Sequence, residues 1–264
     1  SSDESGKAEF ITGYAKDMPF ADVSQSRELR KHQMLGIGYQ YNIEEINAAI
    51  QVGGTLPSRR AAAARKVYQK TMYDIVLNGS TEKGWSGLVN YTGVTATTAP
   101  ADGTGSVTFW VNSAGVGTKT PAQIVRDINI ALQGIYLDTL TVEMADTLLL
   151  PVEAFNYLAQ TPYSAVTMDT ILSFVMRTNI YTLTTGRPLT IRTVRELGTA
   201  ASGGTTGRMV AYKNDAETVR LHLPMPHQFL PVQVVGLTYV VPGIFRFGGL
   251  DIRRPQEVRY GDGI

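Results

Sequence analysis

The chain has three histidines, the side chains best suited to acid–base chemistry or metal binding near neutral pH. Two of them, His222 and His227, lie in the segment Leu221-His222-Leu223-Pro224-Met225-Pro226-His227. Two histidines could ligate a metal, but the prolines between them prevent a helix from placing both on one face, and no cysteine or nearby carboxylate completes a tetrahedral set. The segment therefore predicts polar side chains in a proline-rich connector. His32 has no evident nucleophile partner.

Two glycine-containing motifs resemble parts of cofactor-binding or catalytic signatures. Gly36-Ile37-Gly38 matches half of a dinucleotide-binding fingerprint, but Tyr41 stands at the position of the third glycine and no βαβ unit follows. Gly84-Trp85-Ser86 begins like a nucleophile elbow, but Leu88 stands where the second glycine is needed. The sequence therefore predicts no enzyme, no cofactor and no metal site. The first motif instead predicts a strand with glycines at crowded positions.

A row of basic residues lies along a predicted long helix. Arg59, Lys66 and Lys70 fall on one face at helical spacing and could contact a nucleic acid. With 24 basic and 23 acidic residues the net charge is +1, so no global field attracts DNA. The pattern favours a solvated face or pairing with acidic residues of a neighbouring subunit, and it leaves contact with packaged DNA open. Inter-subunit salt bridges and phosphate contacts are likewise alternatives for Arg253, Arg254 and Arg259.

The composition is that of a globular protein with one large or two modest domains. Of 264 residues, 43% are apolar and 18% are charged, and the low charge is typical of a chain that hides much of its surface in an assembly. There is no cysteine, which excludes disulfides and thiolate sites. No apolar run reaches the roughly 18 residues that span a bilayer. The N-terminus lacks both an apolar stretch and an initiator Met, so either Met was removed or an upstream segment was cut off or omitted.

The most distinctive part of the sequence is a long helix preceded by a short one. Asn42 is a predicted N-cap for the short helix, which ends at Gly53-Gly54. An Ala- and Arg-rich helix follows from Pro57 to about Leu77, and about 21 residues at 1.5 Å each span roughly 30 Å. Asn78-Gly79 is a predicted C-terminal stop.

A polar extended segment precedes these helices. Residues 18–24 and 34–41 partly alternate apolar and polar side chains, which predicts a long hairpin with its tip at Ser24-Gln25-Ser26. A two-stranded ribbon is marginally stable alone in water, so one this polar needs something to lie on. A neighbouring subunit is a natural candidate. Four tyrosines are expected to seal the join between ribbon and long helix: Tyr39, Tyr41, Tyr68 and Tyr73.

Helices and strands are interspersed in the rest of the chain, which indicates an α+β fold with two lobes. Helices are expected from Thr120-Pro121 onward, with Ile124, Ile128, Ala131 and Leu132 on one face, and at residues 153–160 and 168–177. Strands are expected near residues 107–110 and at 147–150, 189–197, 208–213, 233–241, 244–247 and 249–253. Residues 198–207 are expected to form a mobile loop.

Short segments spread over the chain carry a family resemblance. They are Ala21-Asp22-Val23, Leu35-Gly36-Ile37-Gly38-Tyr39-Gln40-Tyr41, Ala61-Ala62-Ala63-Ala64-Arg65, Leu221-His222-Leu223-Pro224-Met225-Pro226, Val240-Val241-Pro242-Gly243, Gly248-Gly249-Leu250, Arg254-Pro255 and Tyr260-Gly261-Asp262-Gly263-Ile264. Together they resemble a tailed-bacteriophage major capsid protein family from about residue 18 onward, most weakly across residues 92–118 and 198–207. The order of arm, helix and β-rich return is also similar to encapsulin nanocompartment shells.

The resemblance implies an α+β Johnson-type phage capsid fold without catalytic residues. Its parts are an N-terminal arm at residues 1–12, an E-loop hairpin at 13–42, a peripheral domain at 43–119 with a spine helix at 57–78, an axial domain at 120–227, and return strands of the peripheral domain at 228–264. Some relatives crosslink an E-loop Lys to an Asn of a neighbour. Lys31 is on the corresponding arm, but no motif supports a crosslink here.

The implied function is a major capsid protein that self-assembles, as pentamers and hexamers, into the icosahedral head of a tailed phage. The implied partners are packaged double-stranded DNA bound without sequence specificity, a portal protein at one vertex, and scaffold and cement proteins, with no membrane. The location is the virion, with assembly in the host cytoplasm. The E-loop is expected to lie over a neighbour's spine helix, with contact residues Phe20, Asp22, Val23, Arg27, Arg30, Lys31, Arg59, Arg65 and Tyr68.

Two alternatives stay open at this point. One is an encapsulin-type shell that encloses an enzyme cargo. The other is an enzyme with an unfamiliar site in residues 120–220, which nothing in the sequence supports.

Overall fold

A computed structural model describes residues 2–5, 22–25, 32–51, 55–164, 166–201, 204 and 206–264. Its α-helices are α1 (Ile43–Gln51), α2 (Leu56–Asn78), α3 (Pro121–Asp138), α4 (Val152–Gln160), α5 (Ile171–Thr178) and α6 (Ile180–Thr185). Its strands are β1 (Ser2–Ser5), β2 (Asp22–Gln25), β3 (Gln33–Gly36), β4 (Tyr39–Asn42), β5 (Thr95–Thr98), β6 (Thr147–Leu150), β7 (Pro162–Ser164), β8 (Thr167–Thr170), β9 (Thr190–Thr193), β10 (Arg208–Tyr212), β11 (Val219–Leu221), β12 (Met225–Phe229), β13 (Gln233–Val235), β14 (Thr238–Val241), β15 (Gly243–Phe247), β16 (Leu250–Ile252) and β17 (Val258–Asp262).

The central sheet has five strands in the order β5-β17-β10-β6-β9. Strand β10 pairs antiparallel with β17 and with β6, whereas β5 joins β17 and β9 joins β6 in parallel. Side chains alternate across a sheet, so Leu148 and Leu150 enter one buried cluster while Leu149 enters another. The sheet therefore separates two apolar cores.

Helix α3 covers one face of this sheet. Thr120 begins it with a capping box: Thr120 Oγ1 accepts the Gln123 N–H at 3.4 Å, and Gln123 Oε1 accepts the Thr120 N–H at 2.7 Å. The predicted apolar face is confirmed, because Ile124, Ile128 and Leu132 are at most 1% exposed. Burial of each such side chain contributes roughly 1.5–3 kcal/mol, which makes α3 a principal support of the first core.

A buried ionic network lies at the N-terminal end of α3. Lys119 Nζ lies 2.7 Å from Asp127 Oδ2, and both side chains are fully buried. Trp110 Nε1 donates to the same carboxylate oxygen at 3.1 Å, and Arg126 donates to the other at 2.7 Å. Arg126 also bonds Asp102, and this hydrogen bond lowers the pKa of Asp102 to about 2. Each buried charge is tolerated because it is paired and hydrogen-bonded.

The second core joins the segment after α2 to the opposite face of the sheet. The Tyr260 hydroxyl donates to Leu88 O at 2.6 Å and accepts the Tyr91 N–H at 3.1 Å, and burial raises the pKa of Tyr260 to about 12. Nearby, Arg208 Nε donates to Asp262 Oδ1 at 2.6 Å, with both side chains only 9% exposed. These contacts fix the position of the long helix relative to the sheet.

Helix α2 confirms the predicted long helix to within about a residue at each end. Gly79 ends it with φ of 74°, a conformation that favours glycine, and its N–H donates to Ile75 O at 2.9 Å. Of its 23 residues only Ala64 and Leu77 are buried. The helix therefore lies on the surface of the subunit.

The N-terminus of α1 differs from the predicted cap. Asn42 belongs to β4 and pairs with Thr238, so its backbone is set by strand geometry. Its N–H donates to Glu45 Oε2 at 2.9 Å, while its Oδ1 is buried with no partner among the described residues. The Glu45 carboxylate in the first turn of α1 therefore accepts the backbone N–H of Asn42, which is one of the two hydrogen bonds of a capping box.

The ribbon is paired differently from the predicted hairpin. Strand β2, which contains Ser24 and Gln25 of the expected tip, pairs antiparallel with β1, in a segment that the sequence indicates to be an arm. The expected second arm pairs instead with C-terminal strands, β3 with β15 and β4 with β14. For the described residues, the expectation that the two arms pair with each other is therefore wrong. On β15, Phe245 lies opposite Leu35 and supplies an apolar cross-strand partner for it.

Smaller differences occur where apolar runs are too short to distinguish helix from strand. Residues 107–110 form no strand, because Trp110 turns inward to bond Asp127. The helix expected at residues 168–177 begins only at Ile171, since Thr170 Oγ1 accepts the Ser173 N–H at 3.2 Å and caps it. The strand expected at 189–197 ends at Thr193, and a 3₁₀ turn follows at Arg195–Thr199. The structure also contains elements that the sequence did not predict, among them α6, β5, β12 and β17.

The central sheet draws its strands from several parts of the chain. Strands β5 and β17 come from the ranges 43–119 and 228–264, whereas β6, β9 and β10 come from 120–227. The domain bounds implied by the resemblance stay a prediction.

Replacing Asp127 by Asn is expected to lower the free energy of unfolding by about 3 kcal/mol, because the buried Lys119 would keep only Asp102, 3.3 Å away and 31% exposed, as a counter-charge. The matched control is Asp169→Asn, which breaks an ion pair whose side chains are 48% and 60% exposed and should cost less than about 1 kcal/mol. Urea unfolding followed by circular dichroism measures both. Equal losses in the two variants would contradict the structural role of the network.

Candidate subunit interface

The base of the ribbon is held between two strands of the C-terminal segment. Ile37 N–H donates to Gly243 O at 2.9 Å, between the β3–β15 and β4–β14 pairings. A Cβ at Gly38 would clash with the backbone of Val241, and Pro242 Cα would lie 3.0 Å away. The motif Gly36-Ile37-Gly38 therefore permits close approach of two backbones, as the sequence predicts.

An aromatic row lies beneath α2 along these strands. Tyr68 of α2 stacks on His227 with ring centroids 5.0 Å apart and meets Phe245 edge-on at 4.7 Å. His227 Nε2 lies 3.1 Å from Ile37 O, so one histidine connects the long helix, the ribbon base and strand β12. The row continues through Phe229, Tyr39, Tyr41 and Tyr239.

Three of the four predicted sealing tyrosines lie in or beside this join, and one does not. Tyr39, Tyr41 and Tyr68 belong to the aromatic row. Tyr73 instead points to the other end of the helix, where its hydroxyl donates to Glu196 at 3.0 Å. Burial and this hydrogen bond raise the pKa of Tyr73. The structure therefore corrects the prediction for Tyr73.

The inner edge of α2 is tied to the ribbon by charge as well. Arg60 donates to Gln40 O and lies 2.7 Å from Glu45 Oε1 of α1. The Arg60 hydrogen bond lowers the pKa of Glu45. Arg65, one of the predicted contact residues, lies with its guanidinium 5.7 Å from the centroid of the Phe229 ring. Arg60 and Arg65 therefore support the join rather than a solvent-facing row.

The outer face of α2 is open. Arg59, Lys66 and Lys70 are all exposed, and within the described ranges none of them forms an ion pair or hydrogen bond with a side chain. Val67 between them is 48% exposed. This face, which we call the basic row (Arg59, Lys66 and Lys70), has the charge that the sequence indicates and lacks a partner in the part of its own chain that the structure describes.

The remaining predicted contact residues lie on or near the ribbon. Asp22 and Val23 belong to β2 and pair with Ser5 and Glu4 of β1. Phe20, Arg27, Arg30 and Lys31 lie outside the described residues.

The C-terminal arginines have partners within the chain. Arg254 lies 2.8 Å from Glu217 and 3.2 Å from Glu257, and Arg259 lies 2.7 Å from Asp138. Arg253 lies 3.7 Å from Asp251. Intramolecular pairing is therefore a third account of these three residues, beside the two alternatives that the sequence leaves open.

A second exposed surface went unnoticed in the sequence. The hairpin of β13 and β14 carries Val232, Val234, Val235 and Leu237, which are 50%, 67%, 63% and 71% exposed. The sequence does contain a signal for this exposed surface, because no charged residue occurs between positions 228 and 245. An uncharged apolar edge strand is a surface that proteins normally cover.

The segment that contains His222 and His227 is not only a connector, because its second half belongs to strand β12. His227 is in β12 and contacts the aromatic row, while His222 Nε2 lies 3.5 Å from Asp251. Among the residues that the structure describes, no three His, Asp or Glu side chains come together as a metal site. In the same part of the chain, no helix has the length and apolar character needed to cross a membrane.

Comparisons with known proteins give a consistent result. A family model described as "Major capsid protein" matches residues 6–264. The capsid of Myoviridae phage XM1 is similar in structure, with a TM-score of 0.74 and 18% identity over 100% of this chain and 84% of that one. A virus-like particle from Pyrococcus furiosus has a TM-score of 0.53 and 11% identity over 98% and 85% of the two chains. The SrpI encapsulin from Synechococcus elongatus PCC 7942 has 0.53 and 10% over 100% and 82%.

A search of curated proteins found no match. At these identities the structural matches establish the fold: an α+β architecture shared by phage capsids and encapsulins.

Replacing Tyr68 by Ala is expected to destabilise the subunit by about 2 kcal/mol, because the ring contacts with His227 and Phe245 are lost. The adjacent Val67→Ala is the matched control, and its exposed side chain should cost less than about 0.5 kcal/mol. Thermal unfolding followed by circular dichroism measures the difference. If Tyr68→Ala unfolds at the same temperature as Val67→Ala, the aromatic row does not hold the ribbon base.

Proposed function

Because the chain belongs to the major capsid protein family, we propose that its copies tile the icosahedral head of a tailed bacteriophage and enclose its double-stranded DNA. The chain is a capsid-forming structural protein of a phage, and its family is structural rather than enzymatic. Pentamers and hexamers would be the building units. Its place is the virion capsid, with assembly in the host cytoplasm.

The single observation that carries the proposed assembly is the open face of α2. A helix of 23 residues that buries only two of them leaves most of its surface to be covered by something else. We assign residues 57–78 to the spine helix and residues 13–42 to the E-loop, which would lie over the spine helix of the next copy. Residues 1–12 would be the N-terminal arm.

The other domain assignments follow the same proposal. Residues 43–119 with the return strands at 228–264 would form the peripheral domain, and residues 120–227 the axial domain. The shared central sheet and the two cores support a rigid connection between these parts. A rigid subunit suits a shell, since each contact is repeated many times and modest pairwise energies then give a stable particle.

Charge can fix the register of the contact between ribbon and neighbouring helix. Residues 13–42 carry both signs, with the carboxylates Asp17, Asp22 and Glu28 beside the basic Lys16, Arg27, Arg30 and Lys31. In the proposed contact these carboxylates would pair with the basic row of α2. Complementary charge of this kind fixes register and suppresses wrong pairings more than it adds affinity.

The apolar β13–β14 hairpin would supply a second contact between copies. Its exposed side chains Val234, Val235 and Leu237 are the kind of surface that oligomer interfaces bury. A portal protein, scaffold and cement proteins are further proposed partners. Packaged DNA, contacted without sequence specificity, is proposed as well, and the near-neutral net charge means that no strong field of the whole chain drives this contact.

An encapsulin-type shell is the second candidate, because the fold is also shared with the SrpI encapsulin. The contents of the purified particle distinguish the two functions. Double-stranded DNA inside supports the phage head, whereas an enzyme docked on the inner wall supports the nanocompartment.

Deleting residues 21–31 and joining the ends with a Gly-Ser linker of equal length is expected to leave a folded subunit that makes no closed shells, since the ribbon contact would be lost. Electron microscopy of the purified protein measures shell formation, and circular dichroism checks folding. The control replaces residues 81–84, an exposed turn, with a linker of the same length as that turn. Normal particles from the 21–31 deletion would refute the E-loop assignment.

Reversing two charges with Lys66→Glu and Lys70→Glu is expected to leave the unfolding temperature nearly unchanged, because both side chains are exposed and unpaired in the described part of the chain. Assembly should be impaired, since the reversed row would repel the ribbon carboxylates Asp17, Asp22 and Glu28 with which it is proposed to pair. Light scattering during assembly measures the effect, with Gln69→Glu as the control on the same helix. Intact particles that hold less DNA would show instead that the row contacts the genome.

A further inference from the structure

The turn after α3 presents apolar side chains to solvent on a strained backbone. Leu137, Leu140 and Val142 are 59%, 84% and 75% exposed. Leu140 and Thr141 have φ of 53° and 67°, the left-handed region that non-glycine residues rarely adopt. Two consecutive residues in this region persist only where their surroundings hold them there. We call Leu137, Leu140 and Val142 the apolar knob.

A network of hydrogen bonds holds the knob in place. Thr139 Oγ1 lies 2.8 Å from Ile135 O and accepts the Glu143 N–H at 3.1 Å, so it bridges the last turn of α3 and the residue after the knob. The Thr141 N–H donates to Tyr136 O at 2.7 Å. The knob is therefore a rigid projection, and its exposed apolar atoms are not those of a loosely ordered loop.

A cleft lies at the end of the subunit core opposite the apolar knob. It has a volume of about 710 Å³ and lies between the loop at residues 109–115 and α4. Phe109, Val111 and Tyr157 supply apolar wall, and Glu153, Asn156 and Gln160 supply a polar rim along α4. An apolar floor with a polar rim is the typical anatomy of a site that receives an apolar side chain from a partner.

The knob and the cleft face opposite ends of the subunit core. At the knob end, Asp138 pairs with Arg259, which lies opposite Ala211 in the central sheet. At the cleft end, Gly207 and Ile264 line the cleft directly beyond the pairing of Arg208 with Asp262. Helix α3, with 18 residues and a length of about 27 Å, separates the two ends.

We infer that the apolar knob of one copy inserts into the cleft of the next, as a head-to-tail contact between copies of this chain. The inference deepens the proposed function and rests on it, because a capsid protein is surrounded by copies of itself. Surfaces that differ and lie at opposite ends produce a heterologous interface, and such an interface closes into rings when the rotation between copies permits. The occupant is a second copy because the same chain supplies both a rigid apolar projection and an open cleft large enough for several side chains.

Engineered cysteines test this contact sharply, because the chain has no cysteine of its own. Leu140→Cys and Asn156→Cys change exposed side chains and should leave the fold intact. On a non-reducing gel after mild oxidation of the assembled protein, the double variant should give a ladder of disulfide-linked oligomers. An equimolar co-assembly of the two single variants should give dimers only, and each single variant alone should give monomer.

The matched control pairs Gln133→Cys, an exposed position two turns earlier on α3, with Asn156→Cys and should give monomer. Monomer from the Leu140 and Asn156 double variant, with its Asn156→Cys thiol still open to a maleimide in intact particles, would overturn the inference. That result would leave the proposed function standing, since particle formation is scored separately by electron microscopy of the unmodified chain. A different molecule in the cleft, found by mass spectrometry of particles whose double variant stays monomeric, would overturn it as well.

Discussion

A long helix with one narrow buried edge is the constraint on which the rest of the structure depends. Helix α2 is held from inside by the aromatic row and by Arg60, and from its C-terminal end by Gly79 and the second core. Helical stability in proteins comes mainly from packing of one face, and among the described residues only Ala64 and Leu77 of this helix are buried. The same edge fixes the base of the ribbon, so the position of the helix decides where the ribbon can go.

Local chemistry made much of the fold predictable from the sequence. The proline and alanines of α2, the stop at Gly79 and the capping box of α3 depend on residues within a few positions of one another. A short buried strand was expected at Thr147–Leu150, and the structure confirms it, with all four residues buried. The family resemblance pointed to the same architecture, which the matches to capsids and an encapsulin confirm.

Pairing between distant strands could not be predicted in the same way. The polar pattern of the ribbon indicated two extended arms, but it carried no information that β3 would choose β15, more than 200 residues away, over a nearer arm. Tyr73 was misplaced because helical spacing does not reveal which neighbour lies at each end of a helix. The buried pairing of Lys119 with Asp127 and Trp110 likewise depends on a turn that no local pattern encodes.

The three proposed interface surfaces have one property in common. Each presents charged or apolar side chains that have no partner within the described part of the subunit. The basic row lacks counter-charge in the described residues, the β13–β14 hairpin exposes valines on an edge strand, and the apolar knob projects from a strained turn. An electron cryomicroscopy reconstruction of the assembled protein tests the central claim most directly. The ribbon of one copy should cross the outer face of α2 in the adjacent copy and cover Lys66 and Lys70. A ribbon folded back over its own α2, or an α2 face open to solvent in the finished particle, would contradict it.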